Sequence, residues 1–176
     1  MMILTEIDSY KVVSLDKDFA KLYLASLVLL FNQIPKVLYL PEDILSERKG
    51  ERLFYEKWSH GIALLDGSQL IGALLAYERE GEKNEQYPEN TLYISEFAIL
   101  DSYQKKGLGK KLLQVFLENN RKKGFLFLQG SFTISVQTNS GNFNGHVVRL
   151  YESLGFTFRA YKQYENRKDI VLGLSF

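Results

Sequence analysis

Two closely spaced glycines, Gly107 and Gly109, lie among lysines in the segment Gln104–Lys110, which reads QKKGLGK. The segment follows a mostly apolar stretch, Tyr93–Leu100, that is typical of a buried strand. Apolar residues at helical spacing begin directly after it, so the glycines fall where a helix starts. A helix start leaves backbone N–H groups open to an anion, and glycines keep side-chain bulk away from it. These residues predict a phosphate-binding turn; a tight strand-to-helix turn with solvated lysines explains the spacing equally well.

Two other phosphate-binding patterns do not fit this turn. The Rossmann fingerprint GxGxxG requires a third glycine where the chain has Leu112. The P-loop requires Ser or Thr after a Gly-Lys pair at a set distance from an earlier glycine, and the turn lacks that arrangement. The sequence therefore argues against a nucleotide-phosphate binder of either kind.

The composition predicts a single domain covering residues 1–176. Of the 176 residues, 45% are hydrophobic and 14% aromatic, enough for a sizeable core. A net charge of +1 favours neither nucleic acid nor an anionic membrane as a partner. With no cysteine and only His60 and His146, we expect no disulfide and no metal site. Neither a signal-peptide pattern nor a membrane-length apolar run is evident, so we expect a cytoplasmic protein.

Helical and strand-like patterns alternate along the chain, which predicts a mixed α/β (α+β) domain. Helices are indicated by apolar residues at helical spacing, and strands by short apolar runs between turn residues. The predicted order is a strand within residues 2–15, a helix through Phe19–Leu30, a short helix near Glu42–Lys49, hairpin strands at 60–65 and 69–77, the strand and helix on either side of QKKGLGK, a strand at 132–137, a helix through Val147–Leu154, and closing strands at 156–164 and 170–176. The segment Phe125–Gln129 fits either a strand start or a buried loop.

Two separated motifs resemble the GNAT N-acetyltransferase superfamily. The segment Gln104–Gly109 matches its Q/R-x-x-G-x-G/A signature. Further along, Asn144–Phe156 is similar to the second motif of the family, N-x-x-A-x-x-L-Y-E-x-x-G-F, with Val147 at the usual alanine. Both motifs occur in the family's order, and the resemblance covers about Gly61–Phe176. The segment Gly124–Ser135 is longer than usual for the family.

The resemblance implies a central, twisted, mostly antiparallel sheet of about six to seven strands flanked by helices. It also implies acetyl-coenzyme A as cosubstrate and no metal. In the family, backbone amides of the first motif hold the coenzyme A pyrophosphate, and the preceding strand pairs with the pantetheine arm. Carried over to this sequence, the cofactor-binding residues are Phe97, Ala98, Ile99, Gln104, Lys105, Gly107, Leu108, Gly109, Lys110 and Asn144.

Two residues match catalytic positions of the family. Tyr151 matches a tyrosine that can protonate the leaving sulfur, although its place on an apolar helical face also fits a core tyrosine. Glu96 is a charged residue in an otherwise apolar strand, and a buried carboxylate there requires a reason. It resembles the position of a glutamate general base, and an outward-facing strand residue explains it equally well. His60 and His146 rank below Glu96 as candidates for the base.

The function implied by the resemblance is transfer of an acetyl group from acetyl-coenzyme A to an amine by direct attack. The alternative is a non-catalytic acyl-coenzyme A binding or sensor domain on the same fold, which we would expect to lack Tyr151 or Glu96. A small-molecule amine and a peptide amine both fit as acceptor, because the near-neutral charge does not choose between them. Aromatic-rich surface segments permit a homodimer.

Overall fold

The computed structural model describes residues 1–34, 38–49, 52–53, 57–78, 91–124, 127–136, 145–163 and 167–175. Within these ranges the strands are β1 (Ile3–Ile7), β2 (Tyr10–Ser14), β3 (Arg48–Lys49), β4 (Arg52–Leu53), β5 (Ile62–Asp66), β6 (Gln69–Glu78), β7 (Thr91–Ile99), β8 (Phe127–Val136), β9 (Thr157–Gln163) and β10 (Arg167–Ser175). The helices are α1 (Lys17–Leu22), α2 (Leu24–Phe31), α3 (Pro41–Leu45), α4 (Lys57–His60), α5 (Leu108–Arg121) and α6 (Gly145–Glu152). A 3₁₀ turn at Asp101–Tyr103 precedes α5.

Eight of these strands form one sheet in the order β1-β2-β5-β6-β7-β8-β10-β9. Every neighbouring pair is antiparallel except β7 and β8, which run parallel and are connected through α5. The mixed, mostly antiparallel sheet predicted from the sequence is confirmed. It is slightly larger than the six to seven strands expected, because residues 2–15 form the hairpin β1–β2 where the pattern predicts one strand.

The core has two layers, one on each face of the sheet. Successive side chains of a strand point to opposite faces, so Leu74 packs with α5 and α6 whereas Leu75 packs with the first helices. On the α5 and α6 side the largest buried residues include Leu112, Phe116 and Tyr151; on the α1 to α3 side they include Leu27, Phe31 and Ile44. Strand β7 presents side chains to both layers.

Helices α1 to α3 differ in detail from the prediction. The helix expected through Phe19–Leu30 is split at Tyr23, whose backbone (φ −101°, ψ 18°) leaves the helical range while its ring stacks on Phe19 at 4.3 Å. The short helix expected to reach Lys49 ends at Leu45, because Ser46 is extended (ψ 133°).

Strand β8 settles part of the question whether Phe125–Gln129 is a strand start or a buried loop. It starts at Phe127, so the portion Phe127–Gln129 of the ambiguous segment is strand. That placement gives β8 nine backbone partners in β10, from Phe127 opposite Ser175 to Val136 opposite Arg167. In the described part of the chain, no helix has both the length and the apolar character needed to cross a membrane.

Candidate active site

Strands β7 and β8 separate halfway along their length. Their parallel pairing runs from Thr91 opposite Phe127 to Ile94 opposite Gly130 and stops there. Beyond this point β8 stays with β10, while β7 stays with β6 up to Ile99. Among the described residues, the backbone of Ser95–Ile99 therefore has no strand partner on its β8 side. An extended chain with backbone donors and acceptors could pair with this edge.

A β-bulge marks the point of separation. Leu75 of β6 lies opposite Glu96 and Ala76 lies opposite Ile94, so Ser95 is the extra residue. Beyond the bulge, Phe97 and Ile99 face the α5 side of the sheet. Ala98 packs on the opposite face, with the first helices. The strand thus directs neighbouring side chains to both sides of the opening.

The start of α5 lies at the far end of this open edge. Gly107 caps the helix with φ +76°, a left-handed conformation that glycine adopts without strain. No side chain caps the helix, and the first intrahelical bond runs from Lys111 N to Gly107 O. The N–H groups of Leu108 and Gly109 at this terminus are therefore available to a ligand, at the positive end of the helix dipole.

The space around the two glycines suits a phosphate. A Cβ built on Gly107 would meet no atom within 4 Å, so the surface there is open. A Cβ on Gly109 would lie 3.6 Å from Phe97 Cζ and 3.8 Å from Ile99 Cγ1, on the protein side. The chain therefore leaves room for an anion over the turn while anchoring Gly109 against β7. This arrangement fits the pyrophosphate of coenzyme A.

The lysines of the turn add positive charge. Lys105, Lys106 and Lys110 are exposed, and Lys105 also has a left-handed backbone, at φ +61°. Lys106 places its ammonium group 4.9 Å from the ring centre of Tyr103. None of these three forms an ion pair within the described residues, so their charge faces solvent and any bound anion.

Gln104 braces the turn rather than projecting into it. Its side-chain amide nitrogen donates to the backbone oxygen of Ile99 at 2.9 Å and to Asp101 Oδ1 at 2.7 Å. These bonds tie the end of β7 to the helix start. In this arrangement both amide protons are used within the protein, so contact with a phosphate from this side chain stays a prediction.

Tyr151 lies in α6 and is completely buried. Its ring meets Phe97 edge-on with centroids 6.5 Å apart, and Phe156 edge-on at 4.9 Å. Because Phe97 also contacts the position of Gly109, one aromatic ring links Tyr151 to the helix start. Burial raises the pKa of the Tyr151 hydroxyl, and neighbouring Tyr93 acts in the same direction. The hydroxyl therefore keeps its proton throughout the neutral pH range.

Glu96 lies on the other face of β7 and is half-buried. Its carboxylate accepts hydrogen bonds from the Tyr39 hydroxyl, at 3.2 Å, and from the Ser95 hydroxyl. Lys57 lies close enough for the charge of Glu96 to oppose the lowering of the Lys57 pKa by burial. The Lys57 ammonium group itself donates to the backbone oxygens of Ile44, at 2.9 Å, and Ser46, at 3.1 Å.

Tyr39 and Ser95 are the site residues that the sequence does not reveal. Tyr39 is 57 positions from Glu96, and Ser95 gains its role from a bulge that depends on β6. Asn144 of the second motif lies outside the described residues. His60 is buried with Nε2 2.8 Å from Glu78 Oε1, next to the Leu92 end of β7, and His146 is exposed in α6.

Comparison with known proteins agrees with the fold. The sequence profile described as Acetyltransferase (GNAT) family matches residues 30–156. The chain therefore belongs to the GNAT family of acetyltransferases, and the family resemblance seen in its two motifs is confirmed.

The individual proteins that resemble this chain share less than a third of its residues in the aligned regions. The spermine/spermidine N(1)-acetyltransferase of Bacillus subtilis (strain 168) is 29% identical over 90 residues, 51% of this chain and 55% of that protein. The chain thus spans about half the length of the curated relatives it matches. Among solved structures, the ribosomal-protein-S18-alanine N-acetyltransferase from Escherichia coli aligns with a TM-score of 0.70 at 16% identity, over 94% of this chain and 93% of that one. The NatC complex bound to Gag peptide and CoA gives a TM-score of 0.70 at 16% identity, over 96% and 99%.

Proposed function

We propose that this protein transfers an acetyl group from acetyl-coenzyme A to an amine by direct attack. The observation that carries the proposal is the open edge of Ser95–Ile99, which leads to the start of α5, where no side chain caps the helix. Together they offer backbone groups for an extended arm and N–H groups for a diphosphate, in that order along the chain. The name of the Bacillus relative and the CoA bound to the NatC complex support the same chemistry.

Binding of the cosubstrate would be divided among the predicted residues. Backbone groups of Phe97, Ala98 and Ile99 would pair with the pantetheine arm. The pyrophosphate would be held by backbone amides of the turn, namely those of Lys105, Gly107, Leu108, Gly109 and Lys110. The exposed lysines would add long-range attraction. When bound, acetyl-coenzyme A supplies an activated thioester that an uncharged amine can attack.

Two proton-transfer groups complete the proposal. A cationic amine has to lose a proton before it can act as a nucleophile, and Glu96 offers a carboxylate oxygen to receive that proton, directly or through water. The Tyr151 hydroxyl holds a proton at neutral pH and can give it to a departing thiolate. Asn144 stays a predicted contact near the pantetheine arm or a cap of α6.

The acceptor is a small-molecule or peptide amine. The relatives divide between these classes, since one is named for spermine and spermidine and another for an alanine of a ribosomal protein. Both kinds of acceptor are cations before reaction, which suits a half-buried carboxylate at Glu96. A single domain over 1–176, a cytoplasmic location and a homodimer stay predictions from the sequence.

The proposal is tested by adding acetyl-coenzyme A and a panel of amines to the purified protein and measuring free thiol release. Polyamines, small primary amines and peptides with free N-termini form the panel. Amine-dependent thiol release, with the acetylated product seen by mass spectrometry, supports acetyl transfer. Binding of coenzyme A without thiol release across the panel would favour the non-catalytic alternative.

A further inference from the structure

The Glu96 carboxylate is held by hydroxyl groups and not by a cation. Tyr39 donates to Oε1 at 3.2 Å and Ser95 donates to Oε2. Within the described residues no Lys, Arg or His forms an ion pair with Glu96. The nearby Lys57 cation interacts electrostatically with Glu96, and its ammonium group donates to the backbone oxygens of Ile44 and Ser46. The two groups that donate to the carboxylate are therefore neutral, and they fix its direction without cancelling its charge.

Tyr39 is itself held at both ends. The Asn32 side chain accepts from Tyr39 N at 2.6 Å and donates to Tyr39 O at 3.1 Å, which clamps the backbone of Tyr39 to the end of α2. The Tyr39 ring packs against Phe31 with centroids 5.9 Å apart. Burial raises the pKa of the Tyr39 hydroxyl, and the charge of Glu96 raises it further, so the hydroxyl stays a donor. The Tyr39 side chain has little freedom to change conformation, because its backbone and its ring are both fixed.

We propose that Tyr39, clamped by Asn32, is a positioning residue that orients the Glu96 carboxylate toward a cationic acceptor amine. The acceptor approaches from the face of β7 that carries α2 and α3, opposite the face that carries Tyr151. Tyr39 acts through Glu96 and does not take the proton itself. The inference rests on the proposed acetyl transfer and adds to it the segment that sets the acceptor end of the site.

The test is a double-mutant cycle on the full chain, with Tyr39→Phe, Glu96→Gln and the double variant. Tyr39→Phe removes one hydroxyl and keeps the ring on Phe31. We expect the kcat/KM for the best acceptor of the panel to fall roughly tenfold or more, the usual effect of losing a hydrogen bond to a charged group. The KM for acetyl-coenzyme A stays at the wild-type value. On the Glu96→Gln background the second change adds little, because the bond it removes no longer orients a carboxylate.

Tyr23→Phe is the matched control. Tyr23 is half-buried between α1 and α2, stacked on Phe19, and no hydrogen bond joins its hydroxyl to Glu96. It should leave both KM values and turnover unchanged. Asn32→Ala should reproduce the acceptor defect of Tyr39→Phe in weaker form, because Tyr39 keeps its hydroxyl but loses its clamp.

Two outcomes overturn the positioning role while leaving acetyl transfer intact. One is wild-type acceptor kinetics in Tyr39→Phe. The other is a fall in kcat/KM on Tyr39→Phe that is equally large whether position 96 is Glu or Gln. Spermidine binding, followed by calorimetry in the presence of coenzyme A, gives a second readout that needs no turnover. A wild-type protein that neither binds spermidine nor acetylates any amine of the panel overturns both this inference and the proposed function.

Discussion

Glu96 and Tyr151 lie on opposite faces of β7. The Glu96 carboxylate meets Tyr39 on the side of α2 and α3, whereas the Tyr151 ring packs on Phe97 on the side of α5 and α6. The pairing of β7 with β8 ends at Ile94, two residues before Glu96 in the same strand. Under the proposed mechanism, this separation keeps the proton acceptor and the proton donor on different faces of one strand.

The first prediction concerns Glu96→Gln. If Glu96 receives the amine proton, the variant should lose turnover mainly at lower pH, where an acceptor amine remains protonated and needs a base. The measurement is a full pH–rate profile with a saturating acceptor. Glu118→Gln, the same change on the exposed side of α5, is the control and should match wild type. A Glu96→Gln profile superimposable on wild type would remove Glu96 as the base.

The second prediction concerns the phosphate turn. Gly109→Asp places a carboxylate at the helix start, where it opposes a bound pyrophosphate and occupies the positive end of the dipole. Gly109→Asn has nearly the same volume without the charge. We expect the Kd for coenzyme A to rise in both variants, and roughly tenfold more in the Asp variant. Equal affinity in wild type and a folded Asp variant, measured by calorimetry, contradicts the assignment.

The third prediction concerns the backbone conformation of the same turn and is measured without a ligand. Gly107→Ala puts a Cβ on a left-handed residue and should lower the free energy of unfolding by about 1 kcal/mol. Gly109→Ala, inside the first turn of α5, meets only ordinary contacts with Phe97 and Ile99 and should raise it by about 0.5 kcal/mol. Urea denaturation measures both values. Equal effects of the two substitutions would show that the turn is not held as described.

The fourth prediction concerns stability at alkaline pH. Burial raises the pKa of Tyr39 and of Tyr151, so each hydroxyl stays neutral in the folded protein at a pH where it ionises in the unfolded chain. The stability that each contributes is complete below about pH 10 and is lost above it, by about 1.4 kcal/mol per pH unit for the fully buried Tyr151 and by less for the half-buried Tyr39, which solvent partly screens. Tyr151→Phe should therefore make this decline shallower than in wild type. Identical slopes in urea titrations from about pH 10 upward contradict the argument.

The sequence predicts those parts of the site that are contiguous in the chain. Gln104–Lys110 joins a strand to a helix, so the glycines and the helix start are local facts that spacing reveals. The bond from Tyr39 to Glu96 joins residues 57 positions apart, and no local pattern marks Tyr39 among the tyrosines of the chain. The bulge at Ser95 depends on the register between β6 and β7, which composition does not encode. The sequence therefore predicts the cofactor side of the site better than the acceptor side.

The last prediction concerns Tyr151, on which the proposed proton donation depends. Tyr151→Phe keeps the ring that packs on Phe97 and Phe156, so the thermal midpoint and the affinity for acetyl-coenzyme A should change little. The variant loses only a hydroxyl whose pKa is raised by burial and which is therefore protonated at neutral pH. If this hydroxyl donates to the leaving sulfur, turnover should fall by about 10²–10⁴-fold, the range typical of general acid–base groups. The loss is smaller if the thiolate leaves readily unaided.

Phe156→Leu is the control for the packing of Tyr151, because it alters the neighbouring ring at 4.9 Å and leaves the hydroxyl in place. It should lower the thermal midpoint more than Tyr151→Phe does and lower turnover less. The decisive measurement is single-turnover thiol release with saturating acetyl-coenzyme A and the best acceptor, where chemistry limits the rate. Wild-type single-turnover rates in Tyr151→Phe would mean that Tyr151 is a packing residue and that the sulfur leaves without its proton.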